Sequence, residues 1–131
     1  MKEVVLIDDS NFDLMINEMV IKKTLQEKCI KFTDPKVGYD FIVNKLASSD
    51  EKILLFLDIN MPELNGWELL DLLRNCPQNS LSKINVVMLS NSDNPSDIAL
   101  SKTDNIVSNY ITKPLDKEKL VSAMSRITIV N

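Results

Sequence analysis

Histidine is absent from this 131-residue chain. That absence removes the Ser-His-Asp triad, an imidazole general base and any role as a phosphohistidine carrier. Only two glycines occur, Gly38 and Gly66, so no glycine-rich loop is available to cradle a nucleotide. The two cysteines, Cys29 and Cys76, form no C-x-x-C pair, which argues against a zinc centre of nitrogen and sulfur ligands. The first ten residues, MKEVVLIDDS, hold a short apolar run before two acids and read as a strand, not an export signal. Lone thiols without such a signal fit a reduced, cytoplasmic protein. No apolar run approaches the roughly 18 residues that a membrane helix needs. Basic residues are scattered, with Lys22–Lys23 the one adjacent pair, and the net charge is −4. A nucleic-acid surface needs clustered cations, so none is expected, and no membrane contact either.

What is present is a strict alternation of short apolar runs and longer amphipathic stretches. Val4–Ile7 predicts a first strand, and Phe12, Met15, Ile16, Met19 and Val20, at spacings of three and four, predict the face of a first helix. A short run at Ile30–Phe32 follows. Asp34–Pro35 then reads as the N-cap and first residue of a second helix carrying Val37, Phe41 and Ile42. Ile53–Leu57 is continuously apolar, as in a strand covered on both faces. Leu69, Leu70, Leu72 and Leu73 mark a third helix ending before Pro77. Ile84–Leu89 is a fourth strand, Ser96–Lys102 a short fourth helix, Ile106–Ile111 a weaker fifth strand, and Asp116–Ile127 the last helix. Five strands and five helices in alternation predict one α/β domain with a doubly wound parallel sheet.

Ligands of open parallel sheets bind beyond the carboxyl ends of the strands. Asp8 and Asp9 follow the first strand, Asp58 ends the third, Ser90 ends the fourth and Lys113 follows the fifth. Each alone could be a cap or a turn residue. The second strand offers only Thr33–Asp34, whose role as a cap is sufficient; the flavodoxin-like strand order 2-1-3-4-5, with the second strand at the edge, explains its silence. Three carboxylates at one sheet edge repel one another unless a cation joins them. Mg²⁺ prefers oxygen ligands and works beside phosphate, so the cluster predicts Mg²⁺ and a phosphoryl group together. An aspartate can attack phosphorus, with a metal, an ammonium and a hydroxyl stabilising the transferring oxygens.

These residues resemble the receiver domains of bacterial two-component response regulators, including the single-domain chemotaxis type. The resemblance spans nearly the whole chain. It rests on Asp8–Asp9, on the segment DINMPELNG from Asp58 to Gly66, on Ser90, and on the segment YITKP from Tyr110 to Pro114. It implies that Asp58 is the phosphoacceptor, with Lys113 on the phosphoryl oxygens and Ser90 bonding one of them. Mg²⁺ is then expected on Asp9, Asp58 and the backbone carbonyl of Asn60, with Asp8 acting largely through a bound water. It further implies a cis Lys113–Pro114 bond, a switch pairing Ser90 with Tyr110, and tuning of dephosphorylation by Asn60 and Ser92. Gly66 matches a loop glycine that needs backbone freedom. Asn91 replaces a smaller residue, and Lys102–Asn109 lacks the usual Gly-Ala, so the end of the fourth helix is expected to differ in shape.

The implied function is a signalling switch, not an enzyme beyond its own phosphorylation and dephosphorylation. The donor is a histidine kinase or histidine phosphotransfer protein. The output is protein contact through the fourth helix, fifth strand and fifth helix, towards a partner the sequence does not name. The chain stops soon after its last helix, so one receiver over residues 1–131 with no output domain is expected. One alternative is a phosphatase of the haloacid-dehalogenase type. There, however, the nucleophile follows the first strand in an Asp-x-Asp motif, whereas here Asp58 follows the third. Another alternative is a degenerate receiver that is never phosphorylated. Trp67, beside Gly66, is a candidate fluorescence reporter or a plain packing residue.

Overall fold

Every strand ends where an apolar run meets a polar residue, and this places five strand ends along one edge. The computed structural model describes residues 2–130. The strands are β1 (Lys2–Ile7), β2 (Cys29–Phe32), β3 (Lys52–Asp58), β4 (Ile84–Ser90) and β5 (Val107–Thr112). The helices are α1 (Asn11–Leu25), α2 (Pro35–Ser48), α3 (Gly66–Leu73), α4 (Gln78–Leu81), α5 (Pro95–Thr103) and α6 (Lys117–Val130). All strand pairs are parallel, and the order is β2-β1-β3-β4-β5. This is the flavodoxin-like α/β arrangement read from the sequence.

β3 is the central strand, and its alternation divides the core. Leu55 and Leu57 join Val5, Ile7, Ile42, Leu69 and Leu73 on one face. Leu54 and Phe56 join Val4, Leu6, Ile21, Leu120 and Ala123 on the other. Each buried Leu or Ile contributes roughly 1.5–3 kcal/mol through burial. Helix starts are capped as the local sequence dictates. Asp34 accepts from Lys36 N–H ahead of Pro35. Asn65 and Glu68 form a reciprocal capping box on α3.

Three expectations change. Among the described residues the helix count is six, because α4 adds one turn after Pro77, whose carbonyl accepts from Ser80 N–H and Leu81 N–H. The buried face of α1 is Leu14, Asn17 and Ile21, while Phe12, Met15 and Met19 are more than half exposed. Apolar residues surround nearly the whole of α1, so their spacing could not choose a face. On α3, Leu69, Leu70 and Leu73 are buried and Leu72 is exposed.

The segment after α5 also departs from a smooth register. Val86 pairs with Val107, but Val87 pairs with Asn109, leaving Ser108 as an extra residue in β5. The Ser108 hydroxyl donates to Asn85 Oδ1. Asp104 ends α5, pairs with Arg74, and accepts from Ile106 N–H.

Candidate functional site

Asp8 follows β1 and is fully buried. Its Oδ1 accepts from Ser10 N–H at 3.0 Å, and the Ser10 hydroxyl in turn caps α1 by accepting from Asp13 N–H at 3.2 Å. Asp9, the next residue, is exposed. Asp58 ends β3 at the centre of the sheet and is 2% exposed. Carboxylate oxygens of Asp8, Asp9 and Asp58 all lie within 4.8 Å of one another. Lys113 reaches this cluster from β5. Its backbone N–H donates to the Ser90 carbonyl at 2.7 Å, which fixes it beside the end of β4. The Lys113–Pro114 bond is cis.

The Lys113 ammonium donates to Asp8 Oδ2 at 2.7 Å and to Asp13 Oδ2 at 2.9 Å. It stands 3.3 Å from Asp58 Oδ1, an ion-pair distance without an aligned hydrogen bond. Asp58 Oδ1 is buried and has no hydrogen-bond partner. Burial, then the charge of Asp8, push the Asp58 carboxyl up to about 7; Lys113 and the Asn60 backbone N–H pull it back only in part. For Lys113, burial favours the neutral amine, but hydrogen bonds to Asp8 and Asp13 and the charge of Asp58 outweigh it, and the net shift is upward.

An unsatisfied, buried carboxylate oxygen among three acids is the environment that a divalent cation relieves. The donor set is all oxygen, which suits Mg²⁺ and not zinc. Both Asp8 oxygens already accept hydrogen bonds, whereas Asp9 faces solvent.

Ser90 is fully buried and its Oγ accepts from Ser92 N–H at 3.2 Å. Tyr110 is half-buried, packs on the core face of Leu55 and Met88, and donates its hydroxyl to the Ser92 carbonyl at 2.7 Å. Thus Ser92 binds Ser90 through its N–H and Tyr110 through its carbonyl. Asn60 and Ser92 are exposed. Trp67 donates from Nε1 to Asp97 Oδ1 at 2.9 Å, tying the start of α3 to α5.

Gly66 is required for a reason other than backbone freedom. Its φ is ordinary, but a Cβ there would lie 2.8 Å from the Asp58 carbonyl oxygen and 2.9 Å from Met88 Cε. The glycine lets α3 begin against the backbone of Asp58, and its N–H donates to the Ile59 carbonyl.

Asp13 is the site residue that sequence reading missed. The available signal was its place in the first turn of a helix that starts at the same sheet edge.

Residues 4–125 match the family described as the response regulator receiver domain. Protein PilG of Pseudomonas aeruginosa is 33% identical over 124 residues, covering 93% of this chain and 84% of that protein. A two component response regulator from Cytophaga hutchinsonii superposes with a TM-score of 0.87 at 30% identity, covering 98% of this chain and 97% of the other. A response regulator receiver protein from Dyadobacter fermentans gives 0.82 at 25% identity, covering 96% and 97%. With the motif order already against a phosphatase, these matches decide the family: the chain belongs to the response regulator receiver domains.

Proposed function

We propose that this receiver is a phosphorylation-activated switch in which Asp58 accepts a phosphoryl group from a phosphohistidine on a histidine kinase or phosphotransfer protein. The observation that carries the reading is the unpartnered Asp58 Oδ1, buried beside Lys113 and within reach of Asp8 and Asp9. An Asp58 oxygen attacks phosphorus, the P–N bond breaks, and the histidine leaves with the electron pair. Asp9, Asp58 and the Asn60 carbonyl are the residues that would hold Mg²⁺, with Asp8 behind a bound water. When bound, Mg²⁺ supplies positive charge against the carboxylates and the transferring oxygens. Lys113 supplies the second cation, and Ser90 a hydroxyl donor.

Phosphorylation adds about −1.5 to −2 charge at Asp58. The Ser90 hydroxyl turning to a phosphoryl oxygen would give up the Ser92 N–H. Because the Ser92 carbonyl also holds Tyr110, that movement reaches β5 and the adjoining α5 and α6. We assign the output surface, contacting a downstream protein, to α5, β5 and α6. Exposed Asn60 and Ser92 leave the attacking water a path, so a short-lived phosphoryl group is expected. Cys29 and Cys76 are free thiols, and no helix among the described residues is long and apolar enough to cross a membrane; a reducing compartment, the cytoplasm, suits such a switch.

Incubation with acetyl phosphate and Mg²⁺, followed by intact mass, tests this. One added phosphoryl group that disappears in Asp58→Asn supports it; a group that persists in Asp58→Asn assigns the wrong acceptor.

A further inference from the structure

Among the described residues, every helix of eight residues or more except α5 buries at least three of its own. α5 buries none. Its half-buried residues are Asp97, Ile98, Ser101 and the C-cap Asp104, which share one helix face, and only Ile98 among them is apolar. Leu100 is 48% exposed. The hold of α3 on this helix is polar. Trp67 donates from Nε1 to Asp97 Oδ1 at 2.9 Å, and Arg74 donates to Asp104 Oδ2. Seven residues separate Trp67 from Arg74 and likewise Asp97 from Asp104, so the two contacts stand two turns apart on both helices. α3 is the fixed side, held by buried Leu69, Leu70 and Leu73. The Asp104 side chain is 9% exposed, so its pair with Arg74 is partly shielded from water and salt.

We propose that Trp67–Asp97 and Arg74–Asp104 are clamps that hold α5 in its resting place and thereby set how readily the switch turns on. The proposal rests on the reading of Asp58 as phosphoacceptor and of α5 as part of the output surface. Asn94 caps α5 by accepting from Ser96 N–H, and residues 91–94 join that cap to Ser90. A loop drawn with Ser90 towards a phosphoryl oxygen therefore pulls on the start of α5. Asp97 lies in the first turn of the helix, so the Trp67 contact meets that pull first. An element with few buried apolar contacts opens more easily than the core does. A contact made only in the resting arrangement opposes any ligand that favours the other one, and removing it tightens that ligand. Clamps of this kind keep the unphosphorylated protein in its resting form.

The test compares wild type, Trp67→Phe, Arg74→Met and Asp97→Asn. Phe keeps an aromatic ring without the N–H, Met keeps an apolar stem without the charge, and Asn keeps the oxygen that accepts from Trp67. Hydrogen exchange read by mass spectrometry measures the opening of α5 without ligand, each rate taken relative to β3 in the same protein. Calorimetry measures the Kd for beryllofluoride, a phosphoryl mimic, with Mg²⁺. The expected result in Trp67→Phe and Arg74→Met is at least threefold faster exchange over residues 95–103 and a Kd at least threefold lower than in wild type. Asp97→Asn should stay within twofold of wild type on both measures. Unchanged exchange in Trp67→Phe and Arg74→Met overturns the clamps alone. Faster exchange with an equal or weaker affinity for beryllofluoride overturns their part in the switch and leaves the reading of Asp58 standing. A folded wild type that binds no beryllofluoride and gains no phosphoryl group from acetyl phosphate sinks that reading, and this proposal with it.

Discussion

Lys113 hydrogen-bonds Asp8 at 2.7 Å yet only approaches Asp58, at 3.3 Å, so the cation of the site serves Asp8 before Asp58. Replacing Lys113 by Met leaves Asp8 and Asp58 buried without their cation. Losing one partner of a buried ion pair costs roughly 3–5 kcal/mol. Urea unfolding of Lys113→Met in metal-free buffer at pH 7.5 should show a loss of that order, and added Mg²⁺ should recover part of it.

The burial of Asp58 gives the fold a pH dependence whose sign follows from the raised carboxyl. The Asp58 carboxyl is raised to about 7 in the folded state, from an ordinary value of 3.8. Between those values the native state holds a proton that the unfolded chain has lost. Its contribution is full below about pH 4 and is lost as pH rises to about 7. Without Mg²⁺, Asp58→Asn should therefore be more stable than wild type at pH 8. The difference should shrink as pH falls towards 4; urea midpoints for both proteins across that range measure it.

Mg²⁺ should reverse that penalty. A ligand that binds only the folded state stabilises by about 2.7 kcal/mol at one hundred times its dissociation constant. The thermal midpoint of the wild type should rise with Mg²⁺. The rise should be much smaller in Asp9→Asn and Asp58→Asn, read by the same melting curves with Ca²⁺-free buffers.

The two sides of α1 should respond unequally. Ile21 is fully buried against β1 and α6, and Ile21→Ala should cost roughly 2–5 kcal/mol. Met15 and Met19 face solvent, and Met15→Gln or Met19→Gln should stay within about 0.5 kcal/mol of wild type. Equal losses would place the wrong face in the core.

Gly66→Ala tests the contact with the Asp58 backbone. The added methyl meets a backbone carbonyl, not the end of a flexible chain, so α3 or the Asp58 backbone must shift. Overpacking of this kind costs roughly 1–3 kcal/mol, and phosphoryl uptake should slow along with the loss of stability.

Much of this architecture could be read from residue order. Asp8, Asp58 and Ser90 each close an apolar run, and in a parallel sheet the ends of such runs share one edge. The Asp34–Pro35 helix start was equally legible, because cap chemistry is local. The buried face of α1 was not, since Phe12, Leu14, Met15, Ile16 and Ile21 surround the helix and only tertiary packing selects among them. α4 was missed because a single turn after Pro77 has no periodicity to show. Asp13 was hidden for a different reason. Its partner is Lys113, one hundred residues away, and the contact forms only when β5 arrives beside β4. The need for Gly66 was visible, but its cause, the approach of α3 to the Asp58 carbonyl, lies in three dimensions.

The most direct test of the central claim is transfer from a phosphohistidine donor. A histidine phosphotransfer protein, phosphorylated on histidine with phosphoramidate and freed of excess reagent, is mixed with the receiver and Mg²⁺, and both intact masses are read over time. The account predicts that the donor loses one phosphoryl group as the receiver gains one, with no gain in Asp58→Asn and none when Mg²⁺ is chelated. Gain of a phosphoryl group by Asp58→Asn, or failure of the folded wild type to accept one from either this donor or acetyl phosphate, would contradict it.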